Sequence, residues 1–361
     1  MSGSGAHEAT PIRVALIGYG LGGSAFHAPL VAATPGLELA AVVTGDAGRR
    51  AEVQRRYPDA RLLPDVEALW SSAGDFELVV VSAPNVTHVP YARAALEASL
   101  HVVVDKPFAP TVAEAREIGA LAERVGRLAI PFQNRRWDGD YLTARSLLRE
   151  GAVGTVYRFE SRFERLRATP KPGWTTPDAA ARAEGIVYDI GSHLIDQALT
   201  LFGPADEVYA ETWRRHPAMT VEDEAFISLT HRGGVQSHLY MSAVAAQPGP
   251  RMSLWGSRAA WVKHGLDGQE AALRAGGIPG SRDWGAEPRE MWGTLGIPND
   301  THPVPTEHGA YQAFYAAVES AIRTGAPAPV RVDDAVAYLQ IIDAVKLSAR
   351  ERRVVSLPKT R

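Results

Sequence analysis

Five apolar runs dominate the first third of the chain: IRVALIG (12–18), ELAAVVT (38–44), FELVVVSAP (76–84), HVVVDKP (101–107) and RLAIPFQ (127–133). They lack the in–out alternation of a strand with one wet face, so each suits a sheet covered on both sides. Between them lie stretches of helical pattern at 24–34, 47–57, 87–98 and 111–125. Strands joined by helices of this length predict a doubly wound parallel sheet with crossovers of the usual hand, an α/β domain over residues 11–133.

From residue 134 the pattern changes. A helix is predicted over 138–149, and TVYRFESRFERLR (155–167) then alternates polar and apolar residues, as do 206–214, 222–231, 234–242 and 251–256. FISLTHRGGVQSHLY reads as a hairpin turning at Gly233 and Gly234. Further helices are expected around 186–202, 307–323 and 333–350, with a Pro/Gly loop over 169–177. The Gly/Pro-rich stretch 265–305 reads as a long excursion, either over the surface or into a site. Residues 134–361 are therefore expected to form an α+β domain with a large, mostly antiparallel open sheet. One face of such a sheet needs cover, which predicts a homodimer or homotetramer.

Composition narrows the function classes. The 361 residues carry 38 basic and 41 acidic side chains, a net charge of -3, so no positive field draws nucleic acid or an anionic membrane. The chain has no cysteine, which removes disulfides, thiolate metal sites and cysteine nucleophiles. No run reaches the roughly 18 apolar residues of a membrane span, and MSGSGAHEAT at the start reads as a disordered leader or a cloning remnant. A cytoplasmic protein is the expectation, with no metal, since His238, His264 and His302 are too scattered to act as ligands.

The first strand runs directly into Gly18, Gly20, Leu21, Gly22 and Gly23. In a G-x-G-x-x-G turn placed between a buried strand and a helix, Gly18 permits the tight bend, Gly20 lets a pyrophosphate approach the backbone, and Gly23 lets helix and strand pack closely. The turn thus predicts a Rossmann dinucleotide site. The end of the second strand decides which dinucleotide binds, because an acid there would repel a 2′-phosphate. That position holds Thr44, with Arg49 and Arg50 opening the next helix, which leans toward NADP over NAD. The alternative for both arginines is a solvated helix face.

With APNVTH, VVVDKPF, GIVYDIGSHLID, FHAPL and NRRWDGDYLT added to the first strand, the chain resembles the glucose–fructose oxidoreductase/inositol dehydrogenase/MocA family over essentially residues 11–350, and within it the NADP-dependent scyllo- and myo-inositol dehydrogenase-like branch. The resemblance implies a Rossmann domain followed by a domain with a large open sheet. It also implies hydride transfer between a nicotinamide and a carbon of an inositol, sugar or related polyol. It carries the lysine of the E-K-P motif onto Lys106, the histidine of G-x-H-x-x-D onto His193, and the preceding aspartate onto Asp189. Asp105 stands where glutamate is usual, one methylene shorter.

These residues suit the chemistry. A neutral histidine can take the hydroxyl proton, and a lysine beside it stabilises developing alkoxide. Asp189 at i,i+4 from His193 could bind a substrate hydroxyl or orient the ring, or the two could be a simple helix-surface pair. Gly191 between them would admit a sugar ring or ease a helix start, and Asp196 reads as a structural partner. Lys106 lies at the C-terminal end of a parallel strand, where such sheets place ligands. Pro84 and Asn85 are expected against a ribose, with His88 either a further contact or a satisfied histidine of the first helical turn. Asn134, Arg135 and Trp137 mark the domain crossing; Arg135 or Arg136 would bind hydroxyls, and Trp137 would stack on a saccharide or simply pack. Trp284, Trp292, His302 and His308 would line a covering loop or a subunit contact. A catalytically silent sensor on the same fold, an NAD-dependent sugar or dihydrodiol dehydrogenase, and redox-neutral use of the cofactor all stay open.

Overall fold

A computed structural model describes residues 10–358; the leader expected at the start therefore lies outside the described residues up to position 9. Six strands form the first sheet: β1 (Ile12–Ile17), β2 (Leu37–Val43), β3 (Arg61–Leu63), β4 (Leu78–Val81), β5 (His101–Val104) and β6 (Ala129–Pro131). Their order is β3-β2-β1-β4-β5-β6, with every neighbouring pair parallel. All four residues of β4 are buried, as a sheet covered on both faces requires.

The second sheet has nine strands: β7 (Val156–Glu164), β8 (Ala205–Trp213), β9 (Glu224–His231), β10 (Gln236–Ser242), β11 (Met252–Gly256), β12 (Ala260–Lys263), β13 (Gly293–Ile297), β14 (Asp300–Val304) and β15 (Val355–Ser356). The order is β14-β13-β12-β11-β7-β10-β9-β8-β15. Its neighbours are antiparallel except β7 and β10, which run parallel. The expected hairpin is present, β9 pairing with β10 around the turn after His231.

Two findings depart from the sequence reading. The 265–305 stretch is not a plain excursion. It contributes the helix Gln269–Arg274 and then β13 and β14, which extend the sheet edge. The C-terminal helices also do not stay with the second sheet. Helix Gln312–Thr324 buries Phe314, Tyr315 and Val318 in one apolar cluster with Val14 and Leu16 of β1. Helix Val332–Glu351 packs on both β8 and the helix Val112–Val125. The two sheets are thus tied together by chain that returns from the far end of the sequence.

The glycine turn shows why its glycines are needed. Gly18 has φ +94°, and a Cβ there would lie 2.3 Å from the Ser82 carbonyl oxygen beyond β4. A Cβ on Gly23 would lie 2.1 Å from the Gly18 oxygen, while a Cβ on Gly20 would meet nothing within 4 Å. Gly23→Ala is accordingly expected to lower the unfolding free energy by roughly 1–3 kcal/mol. Gly20→Ala should stay within about 0.5 kcal/mol of the parent. Urea unfolding of the two variants checks the difference.

Candidate active site

A cleft of about 830 Å³ opens outside the carboxyl ends of the first sheet's strands and is closed on its far side by the second domain. It lies where the strand order reverses, between β1 and β4, the place at which such sheets hold ligands. Gly18, Gly20, Leu21, Gly22, Arg49, Pro84, Asn85, His88, Lys106, Asn134, Arg135, Asp189 and His193 all line it. Gly23, Thr44 and Trp137 do not.

The nucleotide end is built by the glycine turn. The chain passes from β1 into a wide π-helical turn at Gly22–His27 and continues as the helix Ala28–Ala32. Gly22 has room for no side chain, since a Cβ would meet Ser82 Oγ at 2.4 Å and Asp105 Oδ2 at 2.6 Å. Gly20 stands open to the cleft. A backbone bare of side chains at a switch-point crevice fits a dinucleotide pyrophosphate. At the far end Asp46 accepts from the Arg49 amide and caps its helix, and the Arg50 guanidinium folds back onto the Thr44 carbonyl at 3.3 Å. The Arg49 guanidinium makes no side-chain contact among the described residues, so Arg49, rather than Arg50, faces the cleft.

Asp105 anchors the chain just beyond β5. Its Oδ1 accepts the Lys106 amide at 2.8 Å, so the shorter acid reaches the neighbouring backbone. Its Oδ2 accepts from Ser82 Oγ at 3.0 Å and lies 3.4 Å from His27 Nε2. Burial would raise this carboxyl, but the adjacent His27 ring and Lys106 hold it well below the usual carboxylate range.

Lys106 reaches across the cleft. Its Nζ donates to the Asp189 carboxylate and, at 3.1 Å, to the Asp189 carbonyl oxygen. Lys171 Nζ lies 3.0 Å from the other carboxylate oxygen. Burial pushes the Asp189 carboxyl up, and the two ammonium groups more than offset it, holding it far below its ordinary value near 3.8. Asp189 sits in a second π-helical turn, Val187–Gly191, which leads into the helix Ser192–Phe202 carrying His193. Irregular turns of this kind re-aim side chains at functional sites.

His193 is 4% exposed, and its Nδ1 lies 2.7 Å from Gln133 Oε1. A carbonyl oxygen there places the proton on Nδ1 and leaves Nε2 as the acceptor. Burial, reinforced by Arg135 and Lys106, holds the imidazole well below its ordinary 6.5, so the ring is neutral near pH 7.

Several candidate residues have structural duties. His88 is buried with Nδ1 2.8 Å from the Pro107 carbonyl and Nε2 2.9 Å from that of Ala83, bracing two strand ends under the cleft floor. Asn85 donates to the Arg182 and Ala183 carbonyls and so ties the first domain to the second. Trp137 is not among the residues lining the cleft; half-buried, it packs edge-on against Phe314 at 5.6 Å at the margin of an apolar cluster. Gly191 packs against β10, where a Cβ would meet Met241 Sδ at 3.1 Å, so no sugar ring lies over it. Arg136 pairs bidentately with Asp196, at 2.8 and 2.7 Å, and leaves the site. Trp284 is core, its indole donating to Gln269.

The sequence reading missed Gln133, Arg165, Arg167, Lys171, Glu270 and Arg274, all near or in the cleft. A polar residue ending a parallel strand could have pointed to Gln133. Arg165 and Arg167 fall at the end of the alternating stretch 155–167, where polar positions read as a wet face, though the strand itself ends at Glu164; Lys171, Glu270 and Arg274 lie in a loop and a short helix.

Comparison with known proteins agrees with this architecture. Residues 12–132 match the model of an oxidoreductase family with an NAD-binding Rossmann fold, and residues 141–262 match the GFO/IDH/MocA C-terminal domain. This chain belongs to the Gfo/Idh/MocA family. It is a nicotinamide-dependent oxidoreductase. It is 38% identical to the uncharacterized oxidoreductase YdgJ of Escherichia coli over 96% of this chain and 99% of that protein. It is 33% identical to the scyllo-inositol 2-dehydrogenase (NADP(+)) IolW of Bacillus subtilis over 98% of each. The solved structure of yvaA from Bacillus subtilis superposes with a TM-score of 0.89 at 33% identity, covering 96% of this chain and 99% of that one. No helix among the described residues is long and apolar enough to cross a membrane.

The lysine–aspartate–lysine cluster makes a prediction. Asp189 ionises in the folded chain far below its unfolded value, so its stabilisation is complete above about pH 4 and is lost as the pH falls further. Asp189→Asn should therefore flatten the acid limb of an unfolding-midpoint profile below that pH. At neutral pH it should cost at least about 2 kcal/mol, because the two lysines lose their counter-charge.

Proposed function

We propose that this enzyme, preferring NADP, transfers hydride between the nicotinamide and a secondary alcohol or ketone carbon of an inositol, sugar or related polyol. The observation that carries this reading is the convergence of the Lys106 ammonium, the Asp189 carboxylate and a neutral His193 on one cleft beside the glycine turn.

Gly18, Gly20, Leu21 and Gly22 would hold the pyrophosphate, Pro84 a ribose, and Arg49 the 2′-phosphate. A bound nicotinamide supplies the acceptor or donor of hydride. The chain's own residues handle the proton. His193 Nε2, freed as an acceptor by the Gln133 contact, takes the hydroxyl proton during oxidation and returns it during reduction. Lys106 donates to the same oxygen and favours its developing negative charge. Asp189 holds Lys106 in place, and Asn134, whose amide has no protein partner among the described residues, binds a neighbouring hydroxyl. The NADP preference is supported by Arg49 at an acid-free strand end and by the NADP linkage of the relative IolW. Assembly as a homodimer or homotetramer is supported by the second sheet's outer face, where Phe226 and Tyr240 meet at 4.9 Å and Arg158 covers Trp255.

A screen of polyols and sugars with NAD and NADP side by side tests the reading directly. NADP-linked turnover of at least one polyol or sugar is expected, and Arg49→Ala should weaken NADP binding roughly tenfold while leaving NAD affinity alone. Turnover confined to NAD would overturn the cofactor preference.

Lys106→Ala and His193→Ala should each cut kcat by roughly 10²–10⁴-fold with NADP still bound, as followed by NADPH fluorescence. Because the His193 pKa is depressed, kcat/KM for oxidation should stay flat as pH falls to 6.5 and decline only below it. An acid limb centred above 6.5 would remove His193 as the base.

A further inference from the structure

The substrate half of the cleft carries more positive charge than its own carboxylates neutralise. Leaving Arg49 aside at the nucleotide end, the lining cations are Lys106, Arg135, Arg165, Arg167, Lys171 and Arg274. Three carboxylates line the same cleft, and each is fully engaged. Asp105 is turned to Ser82 and the Lys106 amide. Asp189 already serves two lysines. Glu270 serves two arginines, with Arg135 at 2.9 Å and Arg274 at 2.7 Å.

That leaves Arg165 and Arg167. Both follow β7 on a segment held to the end of β10 and the residue after it, their amides donating to the Ser242 and Ala243 carbonyls. Neither guanidinium has a carboxylate within salt-bridge distance or a side-chain hydrogen bond among the described residues, and Arg167 Nε is buried without a partner. Arg165 is the more telling of the two. Burial and then the charge of Arg167 disfavour its charged form, and it lies within the fields of Asp189, Glu270 and Arg135. It lines the same cleft as Lys106, Asp189 and His193. Two half-buried guanidinium groups held together with no carboxylate in contact cost free energy, and the hydroxyls of a neutral polyol supply no charge to offset that cost. A carboxylate or phosphate does, and the planar guanidinium is the side chain best matched to either.

We propose that the substrate of this oxidoreductase carries an anionic group, a carboxylate or a phosphate ester, seated on Arg165 and Arg167 while its alcohol carbon faces Lys106 and His193. This rests on the dehydrogenase reading above and restricts its substrate class to acidic sugars or polyols.

The test compares myo-inositol, D-glucose, D-glucuronate and D-glucose 6-phosphate with the parent enzyme, Arg165→Gln, Arg167→Gln and the double variant. Turnover is followed by NADPH absorbance, and binding to the enzyme–NADPH complex by calorimetry. The expected result is that at least one of the two anionic compounds binds about 10–100-fold more tightly than its neutral counterpart. The double variant should lose that advantage through KM with kcat little changed. Whether the carboxylate or the phosphate arm responds identifies the source of the charge. Neutral and anionic compounds binding equally well, or the variants weakening both equally, would overturn the proposal and leave the dehydrogenase reading standing. Variants that weaken NADPH itself would also overturn it, by assigning the two arginines to the cofactor. Absence of turnover with every compound would count against the dehydrogenase reading instead, and the calorimetric comparison would still decide for or against the anion site.

Discussion

A carboxylate removed from water stays ionised only where positive charge surrounds it, and the arrangement of this molecule follows from how Asp189 meets that condition. One of its lysines, Lys106, belongs to the end of β5 in the first sheet; the other, Lys171, belongs to the loop that follows β7 in the second. Neither domain alone supplies the full set. The ionic cluster is therefore a latch between the two sheets as well as a part of the site. Asn85 reinforces it by reaching the Arg182 and Ala183 carbonyls, and Tyr338, on a C-terminal helix, accepts from the Phe108 amide two residues beyond Lys106. Lys106 is consequently fixed at its amide by Asp105 and at its tip by Asp189, with Tyr338 holding the backbone two residues on.

The same logic explains why Arg135 is rigid rather than available. Its guanidinium is shared among Asp138, Glu270 and the Tyr311 hydroxyl, and Tyr311 in turn donates to Asp138 at 2.6 Å. Arg251, almost wholly buried, closes the network from β11's start, contacting Asp140 at 2.9 Å. Buried charges paired in this way hold geometry more than they lower free energy. Here they hold the crossing from β6 into the second domain, the segment that also carries Gln133 beneath His193. The proton position on the imidazole thus depends on a glutamine whose backbone is set by the domain joint.

How far the sequence exposed this depends on the kind of signal each part leaves. The first sheet was legible because burial on both faces writes continuous apolar runs, and the β9–β10 hairpin because one wet face writes alternation. The glycine turn at a strand end, and Lys106 and His193 by their match to the family's motifs, were singled out in the sequence, and the fold brings all three to one cleft. What stayed hidden has no period. β7 and β10 pair in parallel because chain from elsewhere separates them, and local pattern says nothing about such partners. β13 and β14 lie in a stretch whose glycines and prolines read as loop. Trp137 shows the opposite failure: an aromatic residue at a domain joint suggests a ligand, yet the helix that covers it, with Phe314, comes from nearly two hundred residues later in the chain. Arg165, Arg167 and Lys171 look like ordinary surface charge until the fold turns their loop inward.

Charge then links the parts of the site that motif and loop contribute separately. Burial and the nearby cations of Arg135 and Lys106 keep His193 unprotonated, which in the proposed reaction would leave it free to accept a proton while the cations favour a growing alkoxide. Under the proposal above, an acidic group seated on Arg165 and Arg167 would add negative charge near the ring and raise the proton affinity of His193. Binding of the right substrate would therefore strengthen the base at the moment it is needed, whereas a neutral molecule of similar shape would leave it weak. Selectivity and proton transfer would both draw on the charge of the bound anion, which the loop carrying Arg165 and Arg167 seats without changing the turnover of substrate already bound.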